Sequence, residues 1–188
     1  MKFCSACGGA IELRIPRDDN RARYICTACG VIHYQNPRMV IGAIPVWQDK
    51  VLLCRRAIEP QYGKWTLPGG FMENGESTTQ AAIRETLEEA CARISIIDLY
   101  SMYSLPHIDQ VHLFFRAELL DLDFGPGQES LEVKLFSEAE IPWDELAFRP
   151  VRYSLEHYFT ERNLGQFGLH VGELTPVHPG AKARTTAI

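Results

Sequence analysis

Gly69 to Ala92 reads GGFMENGESTTQAAIRETLEEACA, and this stretch decides the fold. The preceding Pro68 and the pair Gly69-Gly70 fit neither a regular helix nor a central strand. Pro lacks an amide proton, and Gly is free to take positive φ. The segment is therefore a turn that brings backbone close to something. Glu76 follows, then Ser77 with Gln80 three residues on, the start of a helix with a capping box. Thr78 to about Cys91 carries no Gly or Pro, which leaves room for one helix of about four turns.

At about 100° per residue, Ile83, Thr86, Leu87, Ala90 and Ile94 gather on one face. Glu85, Glu88 and Glu89 gather on roughly the opposite face. Three carboxylates this close repel one another and weaken an isolated helix, so the pattern calls for a compensating cation. Grouped oxygen ligands of this kind suit magnesium or manganese. A solvated acidic face would read the same from the glutamates alone. The Gly-Gly turn, Glu76 and Arg84 favour the cation, because Arg84 can pair with Glu76 and lock the loop onto the helix.

The pattern Gly70, five residues, Glu76, seven residues, Arg84-Glu85-Thr86, one residue, Glu88-Glu89 resembles the Nudix box. Two slots depart from it. Cys91 stands where the box has a glycine, and Thr86 where it has an aliphatic residue. Cys91 is expected to let the helix run on past an αL stop. Neither change removes a charged position. The resemblance implies an α/β fold, the Nudix α/β/α sandwich with a mixed sheet, over residues 39–165. It also implies hydrolysis of a nucleoside diphosphate linked to another moiety. Glu85, Glu88, Glu89 and the Gly69 carbonyl would hold Mg2+ or Mn2+, while Arg84 and Glu76 position loop and helix.

The rest of the chain sets bounds on this reading. Its 188 residues are enough for one ordinary domain and a small appendage. At 46% hydrophobic and 23% charged, the profile is that of a soluble globular protein. A net charge of −5 argues against broad binding to nucleic acid or anionic membrane. Met1-Lys2-Phe3-Cys4 leads into no apolar run, so no signal peptide and a cytoplasmic location are expected. The longest apolar stretch, around Met39 to Trp47, is too short to span a bilayer.

Four of the six cysteines fall as Cys4-x-x-Cys7 and Cys26-x-x-Cys29, each pair followed by Gly. This is the two-knuckle spacing of a structural Zn2+ site, and four thiolates leave no position for a substrate water. Residues 1–38 are therefore expected to form a small N-terminal zinc ribbon. His33 reads as a bystander, since four Cys already suffice. Cys54 and Cys91 are placed inside a strand and a helix, as buried packing. The ribbon holds six Lys and Arg against three acidic residues. With four thiolates and one zinc ion it comes close to neutral, a weak footprint for nucleic acid.

Beyond the linker Tyr34–Pro37, residues 40–47 and 51–56 read as two strands. Arg55 and Arg56 at the end of the second are either phosphate ligands or surface charge. Tyr62 and Trp65 are either core or substrate-lining. Strands are expected over 94–102, 111–119 and 133–136, and His107 and His112 are either contacts to a base or flavin or, as lone histidines more often are, plain surface or core residues. The loop 121–128 precedes Glu129 and Glu132. A glutamate there suits a site opposite the box, Glu132 ahead of Glu129. Pro150 opens a last helix that ends near Gly165. Residues 166–188 are expected to form a mobile tail.

The wider resemblance runs through the Cys pairs, YQNPRMVIGAIPVWQDKVLLCRRAIEPQYGKWTLPGGFMENGES, FGPGQESLEVKLF and EIPWDELAF. It is similar to the zinc-ribbon Nudix proteins related to plant chloroplast FAD and ADP-ribose pyrophosphatases. It implies cleavage of FAD to FMN and AMP, or of ADP-ribose to AMP and ribose 5-phosphate. NADH is the alternative substrate. The implied partners are a small dinucleotide or nucleotide-sugar substrate and a second copy in a homodimer, with no nucleic acid and no membrane. Two readings of other classes compete: a nucleotide-sensing transcriptional regulator and a Nudix-fold isomerase. The intact acidic cluster counts against the first, and the lack of a clearly placed catalytic thiol against the second.

Overall fold

The computed structural model describes residues 1–176. It divides into two compact units, Met1–Pro37 and a second from Arg38 onward. In the first, β1 (Ile11–Arg14), β2 (Arg23–Cys26) and β3 (Ile32–His33) form an antiparallel sheet in the order β1-β2-β3. The polar loop between β1 and β2 is organised by Asp19. Its carboxylate accepts from the Asn20 and Arg21 amides at 2.7 and 3.1 Å and from Arg23 Nε at 3.0 Å.

The second unit carries β4 (Arg38–Trp47), β5 (Lys50–Arg56), β6 (Trp65–Thr66), β7 (Gly69–Phe71) and helix α1 (Thr78–Ala90). Then come β8 (Ile94–Leu105), β9 (Gln110–Leu119), β10 (Ser130–Phe136), helix α2 (Arg149–Leu164) and β11 (His170–Glu173). Six strands run in the order β10-β5-β4-β9-β8-β11, with β6 paired to β5 and β7 to β4. The β4–β9 and β8–β11 pairs are parallel and the rest antiparallel, so the sheet is mixed.

Side-chain alternation explains why both faces are covered. Ile41 and Ala43 of β4, Leu52 and Cys54 of β5, and Leu113, Phe115 and Ala117 of β9 belong to the clusters that include Ala81, Ala82 and Ala90 of α1. Ile44, Leu53 and Phe114, on the intervening positions, pack with α2 through Val151, Leu155, Tyr158 and Phe159. Those four α2 residues recur at helical spacing, and each such burial contributes roughly 1.5–3 kcal/mol. Two helices thus sandwich one sheet. No helix among the described residues is long and apolar enough to cross a membrane.

The structure corrects the sequence reading at three places. Ile83 and Leu87 are exposed, whereas Glu85 and Glu89 are buried with Ala81, Ala82, Thr86 and Ala90. The small alanines, not the large aliphatics, are the packing face, because they let the helix approach the sheet closely. Second, α1 stops at Ala90. Cys91 itself takes the αL position (φ 49°) that the box reserves for glycine, and its side chain is exposed rather than buried. Third, the described part of the expected mobile tail is ordered. Phe167 packs against Tyr158, Arg116 lies over its ring at 3.7 Å, and β11 adds to the sheet beside Ser101–Ser104. Leu174 is buried beyond it. Residues 177–188 of that tail lie outside the described residues.

Candidate active site and zinc site

The α1 site begins with its entry. Ser77 accepts from the Gln80 amide and Gln80 Oε1 accepts from the Ser77 amide, at 3.2 and 2.7 Å, which fixes where the helix starts. From that start, Arg84 points back onto the loop. Its Nε and NH2 donate to the two oxygens of Glu76 at 3.0 and 2.8 Å, and NH2 also donates to the Phe71 carbonyl at 3.2 Å. The Glu73 amide completes the clamp on Glu76 at 2.7 Å. Arg84 and the Glu73 amide hold the Glu76 carboxyl down to about 2. Arg84 in turn sits well above the usual guanidinium range, Glu76 being the main cause.

The Arg84 NH1 reaches the other way, to Glu85 Oε1 at 2.8 Å and Glu88 Oε2 at 3.0 Å. Glu89 lies deeper. Its Oε2 accepts from the Gly69 amide at 3.1 Å, which ties the helix to the turn. A side chain on Gly70 would put a Cβ 2.6 Å from Glu85 Oε2, so only glycine lets that carboxylate reach the turn. The structure thus brings Glu76, Arg84, Glu85, Glu88, Glu89 and Gly69 together.

Burial pushes the Glu89 carboxyl up to about 7. The Gly69 amide opposes the rise, Glu85 and Glu129 add to it, and Arg56 opposes it. Glu85 is raised too, by burial first, against the pull of Arg84. A carboxyl raised on folding stabilises the fold at low pH and loses that contribution as pH climbs through the folded value. Glu76, lowered on folding, works in the opposite sense, so the diagnostic is a difference between proteins. In chelator, Glu89→Gln is expected to gain stability over the wild type as pH rises from about 5 to 8, by up to ~3 kcal/mol. Urea denaturation at the two pH values measures it, and a gain that shrinks with pH contradicts the assignment.

The candidates outside the box separate. Glu129 is close enough to raise both Glu85 and Glu89. Glu132 instead lies on β10, half-exposed, 3.9 Å from Arg55 NH1. Arg55 Nε donates to the Gly63 carbonyl at 2.9 Å, and Arg56 Nε to that of Pro60 at 2.8 Å. Arg56 is nearly buried against Phe148, with its charge felt at Glu89. Tyr62 is exposed. Trp65 is not substrate-lining, because it packs edge-on against Phe136 at 4.8 Å within the α2-side core. His112 is buried on β9, hydrogen-bonded to Gln110, with burial lowering its ring to about 4.

The donor set of Glu85, Glu88, Glu89 and the Gly69 carbonyl is all oxygen, which fits a hard divalent cation. In the structure Arg84 supplies the positive charge between Glu85 and Glu88. The four thiols of Cys4, Cys7, Cys26 and Cys29 have their sulfurs all within 4.8 Å of one another. Cys4–Cys29 and Cys7–Cys26 stand 3.7 and 3.4 Å apart. A tetrahedron of ~2.3 Å Zn–S bonds has edges of about 3.8 Å, so the set fits zinc. His33 is outside the four-sulfur set. Its Nε2 lies 3.3 Å from Cys4 Sγ, where the Nε2–H tautomer would donate to the sulfur.

Comparison with known proteins finds both units of the chain. Residues 36–158 match the NUDIX domain family and residues 2–35 the zinc-ribbon family described as Nudix N-terminal. A crystal structure of a NUDIX hydrolase from Nitrosomonas europaea is 60% identical with a TM-score of 0.91. The match covers 94% of this chain and all of that one. The NAD-capped RNA hydrolase NudC of Stutzerimonas stutzeri is 30% identical over 186 residues, 95% of this chain and 60% of that protein. An ADP-ribose pyrophosphatase of Methanocaldococcus jannaschii is 29% identical over 119 residues, 61% of this chain and 69% of that protein. The chain spans about 60% of the length of the NudC relatives it matches. With the domain match covering well over half of its length and the box folded as described, the chain belongs to the Nudix hydrolase family and carries that family's N-terminal zinc ribbon.

Proposed function

We propose that the chain hydrolyses the diphosphate of a dinucleotide or nucleotide-sugar, with ADP-ribose as the first candidate and FAD next. The observation that carries this reading is the acidic end of α1, with two buried glutamates held against the Gly69-Gly70 turn. A divalent cation bound there, Mg2+ or Mn2+, would neutralise the diphosphate and lower the pKa of an attacking water. The residues themselves do the positioning. Arg84 and Glu76 hold the loop, the Gly69 amide orients Glu89, and Glu129 adds a carboxylate from outside the helix. A cation held beside Glu89 would offset the burial that raises its carboxyl and favour the ionised, ligating form. Four cysteines supply a structural Zn2+ site with no open position.

Relatives named for ADP-ribose and for NAD-capped RNA support a substrate with a nucleoside on the diphosphate. They differ in whether that substrate is a small molecule or an RNA end. NADH is the alternative small-molecule substrate, and the match of the NAD-capped RNA hydrolase relatives over 95% of this chain supports a nicotinamide dinucleotide group. The protein works in the cytoplasm, as a homodimer.

The test is a product assay with Mg2+ on ADP-ribose, FAD, NADH and an NAD-capped RNA, read by chromatography. A dominant kcat/KM for ADP-ribose or FAD with release of AMP is the expected result. Preference for the capped RNA would move the substrate to nucleic acid. No turnover on any of the four, in Mg2+ or Mn2+, removes the hydrolase reading and makes the nucleotide-sensor alternative the next question.

A further inference from the structure

Gly125-Pro126-Gly127 lies in the loop between β9 and β10. The Gly127 amide donates to the Glu89 carbonyl at 3.0 Å, and the Gly125 amide to the Ala90 carbonyl at 2.9 Å. These are two of the carbonyls that a helix end leaves without an internal partner. The approach is very close. A Cβ on Gly127 would lie 1.7 Å from the Glu88 carbonyl oxygen and 2.8 Å from its carbon. Both are backbone atoms, so no rotamer change makes room. Gly125, two residues earlier, faces open space.

After Gly127 the chain is held at each step. The Ser130 amide donates to the Gly127 carbonyl at 3.2 Å, and the Glu129 carbonyl accepts from the Ala57 amide at 2.8 Å. Ser130 then enters β10 in register with Arg56. Glu129 is thereby fixed between a strand and the helix turn that carries Glu88 and Glu89.

We propose that Gly127 is a positioning residue, whose missing side chain lets the 125–129 loop dock on the end of α1 and sets Glu129 beside Glu85 and Glu89. The Gly127 amide on the Glu89 carbonyl and the Ala57 amide on the Glu129 carbonyl are the contacts that fix that placement. The inference rests on the reading of α1 as a hydrolase site.

Four full-length variants test it: Gly127→Ala, Gly125→Ala, Glu129→Gln and the double Gly127→Ala/Glu129→Gln. Gly127→Ala is expected to lower kcat ~10- to 100-fold, the usual consequence of an ångström-scale misplacement. KM should stay within about twofold, since uniform binding is untouched. Gly125→Ala should match the wild type. In the Glu129→Gln background, Gly127→Ala should cost less than about twofold, because the two act as one unit. Wild-type kcat in Gly127→Ala, or losses that multiply in the double variant, overturns the proposal. Should Gly127→Ala fail to fold, Phe124→Ala takes its place. Phe124 packs on the cluster of Cys54, Ala90 and Ala92, and its loss frees the loop without a clash. Mn2+ affinity by titration calorimetry separates this inference from the hydrolase reading. A wild type without turnover ends that reading. Weaker Mn2+ binding in Gly127→Ala and Glu129→Gln, no weaker in the double, still supports the positioning role. Unchanged Mn2+ affinity in Gly127→Ala overturns it.

Discussion

Glu88→Gln is expected to fold like the wild type and to turn over substrate on the order of 100-fold more slowly at saturating Mg2+. The asymmetry follows from where the residue sits. Its side chain is more than half exposed, and its bond is to Arg84 NH1 at 3.0 Å. An exposed helix pair of this spacing contributes only ~0.3–0.5 kcal/mol, so the melting temperature should barely move. The carboxylate is nevertheless one of three that α1 offers to a cation. Losing several kcal/mol of charge stabilisation in the transition state accounts for the fall in rate. Steady-state kinetics across a Mg2+ titration, beside thermal melting, separates the two effects. An unchanged rate at saturating Mg2+ would remove Glu88 from the cation set.

Cys26→Ser carries the second large effect, on stability. Cys26 is 1% exposed, and its thiol is held down to about 6, chiefly by the Cys29 amide. The ribbon's three short strands enclose little apolar surface, and Leu13 and Ile15 are exposed. A segment of this size relies on its metal, and a structural zinc supplies ~10–16 kcal/mol of apparent folding free energy. Removing one thiolate should unfold Met1–Pro37 as a unit, with loss of the bound zinc. Hydrogen exchange measures it residue by residue. Protection should vanish across the ribbon strands and persist from β4 onward. Retained protection at Ile25 with three thiols present would show that the ribbon folds without a complete tetrahedron.

Much of the site could be read before the structure, because its signals are local. Ser77 and Gln80 mark the helix start, and Arg84 lies eight residues from Glu76, which lets a helix carry it back over the loop. The spacing of the cysteines was equally local, set by the knuckle turns. The errors came from nonlocal packing. Periodicity separates two faces of α1 but does not say which one meets the sheet. Ile83 and Leu87 share one face with Ala90 in the sequence, yet they are exposed, and Ala81, Ala82 and Ala90 pack against the sheet. Glu129 and Glu132 are three residues apart in sequence, and only the nonlocal contacts separate them: Glu129 follows a loop hydrogen-bonded to the end of α1, while Glu132 lies on β10 beside Arg55. Trp65 was ambiguous because an aromatic before a glycine turn can line a pocket or fill a core. Phe136, some seventy residues away, resolves it.

Strand β11 has a consequence for how the chain comes to be folded. Its partner, Ser101–Ser104 of β8, is synthesised about seventy residues earlier. Until Glu173 has left the ribosome, β8 presents a row of unpaired amides and carbonyls, and such an open edge invites pairing with other chains. Tyr100 and Tyr158 meanwhile lack Phe167, and Arg116 lacks the ring that lies beneath it. The sheet is therefore completed only after both helices that sandwich it have been made. A nascent chain halted at Gly165 has all three α1 glutamates but still carries one unguarded strand.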